Sequence, residues 1–243
     1  AFVRGKVHGF EMDEAEVPAE QRARAELTAR RCFELALSYA STRRDRPLVM
    51  AMCGEVGTGK SHIAAALAGR VGAALLRSDV VRKEVAGLAP TARLRSGFDE
   101  GLYSPQHQAR TFNALFARAH RYLGDGHNVV LDATFARRDQ RRRARNLAHR
   151  SGADYVVIEC VAPPEVIIQR LHQRAAESVD ASDATVEVYE RLHGRYQPVR
   201  DDEGPAIRVD TTLPLGETLP LILAALAESP PRNASPPSPW WHS

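Results

Sequence analysis

Cysteine is scarce in this sequence. There are three, Cys32, Cys53 and Cys160, an odd number at wide spacing. That pattern gives no disulfide framework and no closely spaced pair of the kind that binds zinc. Cys53 and Cys160 each close an apolar run, which suits buried free thiols. Long hydrophobic runs are lacking too. None approaches the roughly 18–20 residues a membrane span requires. The opening Ala1-Phe2-Val3-Arg4 has no apolar core of the secretory type. A soluble, cytoplasmic protein without membrane contact is the expectation. An initiator methionine is also missing, which points to a piece of a longer chain. Neither sign of charge dominates: 33 Lys and Arg stand against 30 Asp and Glu, a net charge of +3. So mild a basicity suits the handling of anionic phosphates and does not by itself indicate nucleic acid. No internal repeat is present.

What remains reads as one large domain with appendages. Pro18 to Arg44 has helical spacing, so residues 1–45 are expected to form an N-terminal helical segment. Pro47 then stops the helix, and Leu48–Cys53 has the length and apolarity of a buried strand. From there strands and helices alternate. Strands are expected at Ala73–Leu76, His127–Leu131, Tyr155–Cys160 and Ala206–Val209. Helices are expected at Ser61–Val71, Pro105–Leu123, Arg137–Arg150, Pro163–Ala176, Ala184–Tyr196 and Gly216–Ala227. Five buried-type strands alternating with helices predict an α/β domain over 46–228, a parallel sheet with helices on both faces. Residues 229–243 carry five prolines and are expected to be a disordered tail.

Gly54-Glu55-Val56-Gly57-Thr58-Gly59-Lys60-Ser61 fits the pattern G-x-x-x-x-G-K-[ST]. Each position has a physical task. The glycines let the loop turn tightly and present successive backbone N–H groups to phosphate oxygens. The helix that follows adds the partial positive charge of its N-terminus. Lys60 reaches toward the β- and γ-phosphates, and the Ser61 hydroxyl is a ligand for Mg²⁺. The loop leaves an apolar strand and opens a helix, the setting that such a motif requires. ATP with Mg²⁺ is therefore the expected ligand of residues 54–61, with His62 adjoining.

Two acids stand at strand ends, where open α/β sheets gather their ligands. Asp79 follows Leu75-Leu76-Arg77-Ser78. It is placed either to take the proton of an attacking hydroxyl or to cap a helix starting near Val80. Asp132 follows Val129-Val130-Leu131, the Walker-B arrangement of an apolar strand and an acid that holds Mg²⁺. Its plainer role is a strand-end turn. Arg170 and Arg174 lie four apart on one helix, ahead of the polar stretch Ala175–Asp183. They are either lid arginines that close on the phosphates or a solvated face. The seven arginines between Arg137 and Arg150 are likewise either a solvated face or a contact for a phosphorylated or nucleic-acid substrate. Aromatics are not interleaved there, which weakens single-strand binding.

Several segments together resemble a known group. These are Gly54–Ser61, Leu76-Arg77-Ser78-Asp79-Val80-Val81-Arg82-Lys83, Val130-Leu131-Asp132-Ala133-Thr134-Phe135, Ala162-Pro163, Arg170–Arg174 and Ala181-Ser182-Asp183-Ala184. They are similar to P-loop kinases of the group holding zeta-toxin-type kinases, chloramphenicol phosphotransferase, gluconate kinase and the 5′-kinase domains of polynucleotide kinases. The nearest likeness is to the ATP-binding half of two-part bacterial proteins, in which an aminoglycoside-phosphotransferase-like domain precedes this module. Residues 1–45, around Arg4-Gly5-Lys6-Val7, resemble the tail of that preceding domain. The resemblance implies strand order 2-3-1-4-5 and a small arginine-bearing lid. It implies Asp79 as general base, Arg82 as a substrate-side arginine, Asp132 and Thr134 in the acceptor pocket, and catalytic Lys60, Arg170 and Arg174. His62 departs from the threonine common there; the required hydroxyl, Ser61, is present. Three functions follow as expectations: a small-molecule kinase acting on a sugar, nucleotide-sugar or antibiotic-like hydroxyl; a polynucleotide 5′-hydroxyl kinase; and a nucleotide-sensing module that regulates an attached domain.

Overall fold

The computed structural model describes residues 18, 20, 21, 24, 25, 28, 46–89, 104–177 and 185–228. Most of the expected helix Pro18–Arg44 lies outside the described residues, as do Cys32, the segment Ala181–Ala184 and the tail 229–243.

The run Leu48–Cys53 forms β1, and all six of its residues are buried. Burial on both faces is why the run is continuously apolar. The two-residue period of a strand still divides it. Val49, Ala51 and Cys53 enter one core, and Leu48, Met50 and Met52 enter the other. A loop then leads into α1 (Lys60–Val71), which Gly72 closes at φ 61°. There follow β2 (Ala74–Arg77), α2 (Ser78–Val85), α3 (Pro105–Gly124), β3 (Val129–Asp132) and α4 (Arg138–Arg150). The chain continues through β4 (Asp154–Val161), α5 (Pro164–Glu177), α6 (Val186–His193), a 3-10 turn at Asp201–Glu203, β5 (Ala206–Asp210) and α7 (Leu215–Glu228).

All strand pairs are parallel, and the sheet order is β2-β3-β1-β4-β5. This is the α/β architecture expected from the sequence pattern and the strand order that the family resemblance implies. One face of the sheet is covered by Phe112, Leu115 and Leu123 of α3 with Ala144 and Leu147 of α4. The other is covered by Ile63 and Leu67 of α1 with Ile222 and Leu226 of α7. A third cluster, Ile167 and Leu171 of α5 with Tyr189 of α6, packs on Val56 and so seats the outer helices against the loop after β1.

Most boundaries differ from the sequence reading by a residue or two, and two of the differences bear on the site. Helix α2 starts at Ser78 with Arg77 as its N-cap, so Asp79 stands in the first turn rather than at the cap. Helix α6 stops at His193, before Gly194, and Tyr196 falls in the following segment. Among the described residues, no helix is long and apolar enough to cross a membrane.

Candidate active site

The site is built at the carboxyl ends of β1, β2 and β3. Met52 and Arg77 both stand in register with Asp132, so one strand level carries the loop, the acid and the start of α2. Gly54 leaves β1 at φ 138°, and its N–H donates to the Thr134 carbonyl at 3.1 Å. A Cβ at Gly54 would stand 2.3 Å from the Cys160 carbonyl oxygen, well inside the closest approach real side chains make. The loop is thus threaded between the ends of β3 and β4, and no larger residue fits at its entrance. Gly59, at φ 86°, is the N-cap of α1, whose first N–H groups point back into the loop.

Lys60 is buried, and its ammonium donates to the Glu55 carbonyl at 2.7 Å. Thr58 ties the same carbonyl with its hydroxyl at 2.8 Å. Burial lowers the Lys60 pKa, and the Asp132 carboxylate works against that fall. Asp132 is buried at the end of β3. Burial raises its pKa, opposed by a hydrogen bond from Ser61 and by the charge of Lys60. Two opposite charges are therefore held out of water beside the loop, each disfavoured by desolvation and each lacking full compensation from the protein. An anionic phosphate for Lys60 and a hard cation for Asp132 would supply the balance. The adjoining oxygens of Ser61 and Asp132 suit Mg²⁺, which takes one or two protein oxygens and completes its shell from phosphates and water.

Asp79 faces this pair across a cavity of about 350 Å³ that is lined by residues 54–57, 59–61, Ser78, Asp79, Arg82, Asp132 and Thr134. Arg82 pairs with Asp79 at 2.6 Å and lines the same cavity. Its carbonyl meets the His107 ring nitrogen at 3.1 Å, which ties α2 to α3. Arg77 pairs with Asp132 at 3.4 Å. The expected residues Lys60, Ser61, Asp79, Arg82, Asp132, Thr134 and Arg174 therefore share one space.

Arg170 is not brought there. It donates to the Thr211 hydroxyl at 3.0 Å, to the Thr211 carbonyl at 2.5 Å and to the Thr58 carbonyl at 3.4 Å. With His62, Gln173, Leu213 and Thr218 it lines a second cavity of about 480 Å³, on the other side of Gly57 and Gly59. Arg174 lines both cavities. The arginine helix α4 is not one solvated face. Arg141 is buried, and it donates to both Glu203 carboxylate oxygens at 2.7 Å and to the Phe135 and Gln197 carbonyls at 2.9 Å.

Apart from Arg137, which belongs to the basic helix already noted, the other residues of the site were not singled out from the sequence. Tyr189, Arg195, Tyr196, Arg137, Gln108 and Gln140 line the main cavity. The Glu55 carboxylate meets His193 Nδ1 of α6 at 2.7 Å, and the Tyr189 hydroxyl lies 3.1 Å from the same nitrogen. The Tyr189–His193 spacing of one helical turn is legible in sequence; its partner Glu55, far away in the chain, is not.

A family model described as an AAA domain (AAA_33) matches residues 49–199. The chain belongs to this AAA domain family. The matched span runs from the second residue of β1 past α6 and contains every residue that lines the main cavity. Among curated relatives, the uncharacterized protein Rv2004c of Mycobacterium tuberculosis is 32% identical over 161 residues, 66% of this chain and 31% of the relative. The chain thus spans about a third of the length of the curated relatives it matches. A gluconokinase from Sinorhizobium meliloti is similar in structure, with TM-score 0.52 and 21% identity, over 76% of this chain and 94% of that one. The APS kinase CysC of M. tuberculosis, solved with AMPPNP and APS, is similar with TM-score 0.54 and 21% identity, over 76% of this chain and all of that one. At such identity these two likenesses concern the fold alone, and they bear out the P-loop NTPase fold for this AAA domain member.

Proposed function

We propose that this AAA domain protein is an ATP-dependent phosphotransferase that moves the γ-phosphate of ATP to a hydroxyl of a small molecule. The observation that carries the reading is the Asp79 carboxylate facing Lys60, Ser61 and Asp132 across one cavity. A nucleotide-binding loop needs no such acid; a kinase does. Asp79 takes the proton of the acceptor hydroxyl as its oxygen attacks the γ-phosphorus. The bond from that phosphorus to the β,γ-bridging oxygen breaks, and ADP leaves. Lys60 and Arg174 balance the charge that spreads over the transferring group, and Arg82 orients Asp79. Ser61 and Asp132 would hold Mg²⁺, which when bound neutralises charge on the β- and γ-phosphates. Residues 54–59 cradle the phosphates through backbone N–H groups. His62 and Arg170, on the second cavity, serve the donor side rather than the acceptor.

The likeness in fold to a gluconokinase and an APS kinase supports a small-molecule acceptor, such as a sugar or nucleotide-like alcohol. The greater length of the curated relatives supports a module that works beside a further domain. Its place in the zeta-toxin and polynucleotide-kinase-like group rests on the segments Leu76–Lys83 and Val130–Phe135, and a cytoplasmic location is part of the proposal. Incubation with γ-labelled ATP, Mg²⁺ and a panel of acceptor alcohols tests the reading. Label on an alcohol is the expected result. Label released only as inorganic phosphate, with every acceptor, would favour a nucleotide-sensing ATPase instead.

A further inference from the structure

A second space adjoins the acceptor side of the main cavity. It measures about 640 Å³ and is lined by Arg137, Arg138, Arg142, Arg195, Tyr196 and Gln197, with Asp139 and Gly194. Arg137, Arg195 and Tyr196 line the main cavity as well, so these three form a shared wall. Four guanidinium groups thus meet one lining carboxylate. Three of the four are engaged: Arg137 pairs with Asp139 at 2.8 Å, Arg138 pairs with Asp202, and Arg195 has a contact of its own. Arg142 stands one helical turn beyond Arg138 on the same face of α4. Its exposed side chain makes no ion pair or hydrogen bond among the described residues. The other arginines of α4 that contact protein are used differently. Arg141 is buried on Glu203, Arg143 lies over the Phe116 ring and donates to Asn113, and Arg145 donates to the Asp202 carbonyl at 3.4 Å. The arginines that line the annex are therefore a separate set, held together against their mutual repulsion.

We propose that this annex binds an anionic group carried by the acceptor, so that the acceptor is a small phosphate-bearing molecule rather than a neutral alcohol. The inference rests on the phosphotransferase reading for the word acceptor, and on the annex alone for the anion. Guanidinium forks match phosphate oxygens in geometry as well as charge. The shared wall lets one molecule place its phosphate among Arg138, Arg142 and Arg195 while its hydroxyl reaches Asp79. A polynucleotide fits less well. Asp139 and Asp202 interrupt the row of cations, and Tyr196 is the one aromatic residue lining the annex, where a strand needs a series of stacking faces. The Tyr196 hydroxyl is moreover committed to Glu159 at 2.7 Å.

The test uses the protein saturated with AMPPNP and Mg²⁺, so that the nucleotide loop is filled, and titrates inorganic phosphate by calorimetry. Wild type is expected to bind phosphate. Arg142→Ala should weaken that binding about tenfold or more, and Arg142→Lys should restore part of it, as a charge without the fork. Equal thermal unfolding of both variants shows that the fold is intact. No phosphate binding by wild type, or equal binding by Arg142→Ala, overturns the annex. Transfer to neutral alcohols would then still stand, and the phosphotransferase reading with it. Arg142-dependent phosphate binding without transfer to any acceptor would overturn the phosphotransferase reading and keep the anion site. A short single-stranded DNA that binds more tightly than phosphate, with steep salt dependence, would overturn the small-molecule assignment.

Discussion

Arg141 is the largest side chain that the described residues bury outright, and it sits in a run of arginines that looks uniformly solvated. Its guanidinium spans Glu203, the Phe135 carbonyl and the Gln197 carbonyl, so one residue joins the loop after β3 to the segment after α6. Breaking a buried pair by removing one partner leaves a charge without compensation, which costs about 3–5 kcal/mol. Arg141→Met should lower the unfolding free energy read from denaturant titration by that much, whereas Arg142→Ala, on the exposed face, should change it by no more than about 0.5 kcal/mol. Equal values for the two would contradict the division of α4. No local pattern separates Arg141 from its neighbours. Its partner Glu203 lies 62 residues away, and only the fold brings them together.

At the scale of elements, the loop after β1 is held from three sides. Gly54 bonds to the Thr134 carbonyl, Gly57 packs under Ile167 and Leu171, and Glu55 meets His193 of α6. The turn after β3 is itself constrained, with Phe135 at φ 39° and buried, a left-handed conformation that a large side chain adopts only when its surroundings impose it. Phe112 and Phe116 pack on that ring, and Arg141 holds its carbonyl. The Glu55–His193 contact is partly exposed, so its worth to global stability is small, about 0–1 kcal/mol. Its effect is expected to be local. His193→Ala should speed amide hydrogen exchange across residues 186–193 while leaving the global unfolding free energy unchanged within about 1 kcal/mol. Unchanged exchange there would mean that Tyr189 and the apolar contacts alone seat α6. The motif at Gly54–Ser61, the apolar β1 and the acids at two strand ends were legible because each depends on neighbours in sequence. The capping role weighed for Asp79 fails because the helix starts two residues earlier, with Arg77 as the cap. The Arg170 contacts to Thr211 and Thr58 join residues far apart in the chain and left no local trace.

Across the whole molecule, the sheet carries the neutral acids Cys53, Tyr155 and Cys160 in its interior, with the half-buried Tyr196 beside them. Burial pushes the Cys53 and Cys160 thiols up from an ordinary 9.0 to about 12. Burial also raises Tyr155 and Tyr196, with the neighbouring Cys53 adding to each shift. For such groups the folded state keeps protons that the unfolded chain releases. Stability is therefore fully present below pH 9 and falls as pH rises from there toward 12. Chemical denaturation at pH 7, 9 and 10.5 should show no loss over the first interval from these groups and a clear loss over the second. A thiol-specific reagent should leave Cys53 and Cys160 unmodified at pH 8 until the protein is unfolded. Flat stability to pH 10.5 would contradict the burial of this set. The five parallel strands followed from alternation of strand and helix, because parallel strands need crossovers and buried ones read as apolar runs; their order came only with the family resemblance. The two cavities flanking the loop and the arginine annex did not follow, since each is lined from several elements.

The central claim is that Asp79 makes this nucleotide site a phosphotransferase. Its most direct test is single-turnover transfer of labelled γ-phosphate to the best acceptor by Asp79→Asn, with ATP affinity measured in parallel. Loss of a positioned general base is expected to slow transfer by about 10²–10⁴-fold, while ATP affinity stays within about threefold of wild type because the loop of residues 54–61 is untouched. Transfer at the wild-type rate in Asp79→Asn would contradict the account.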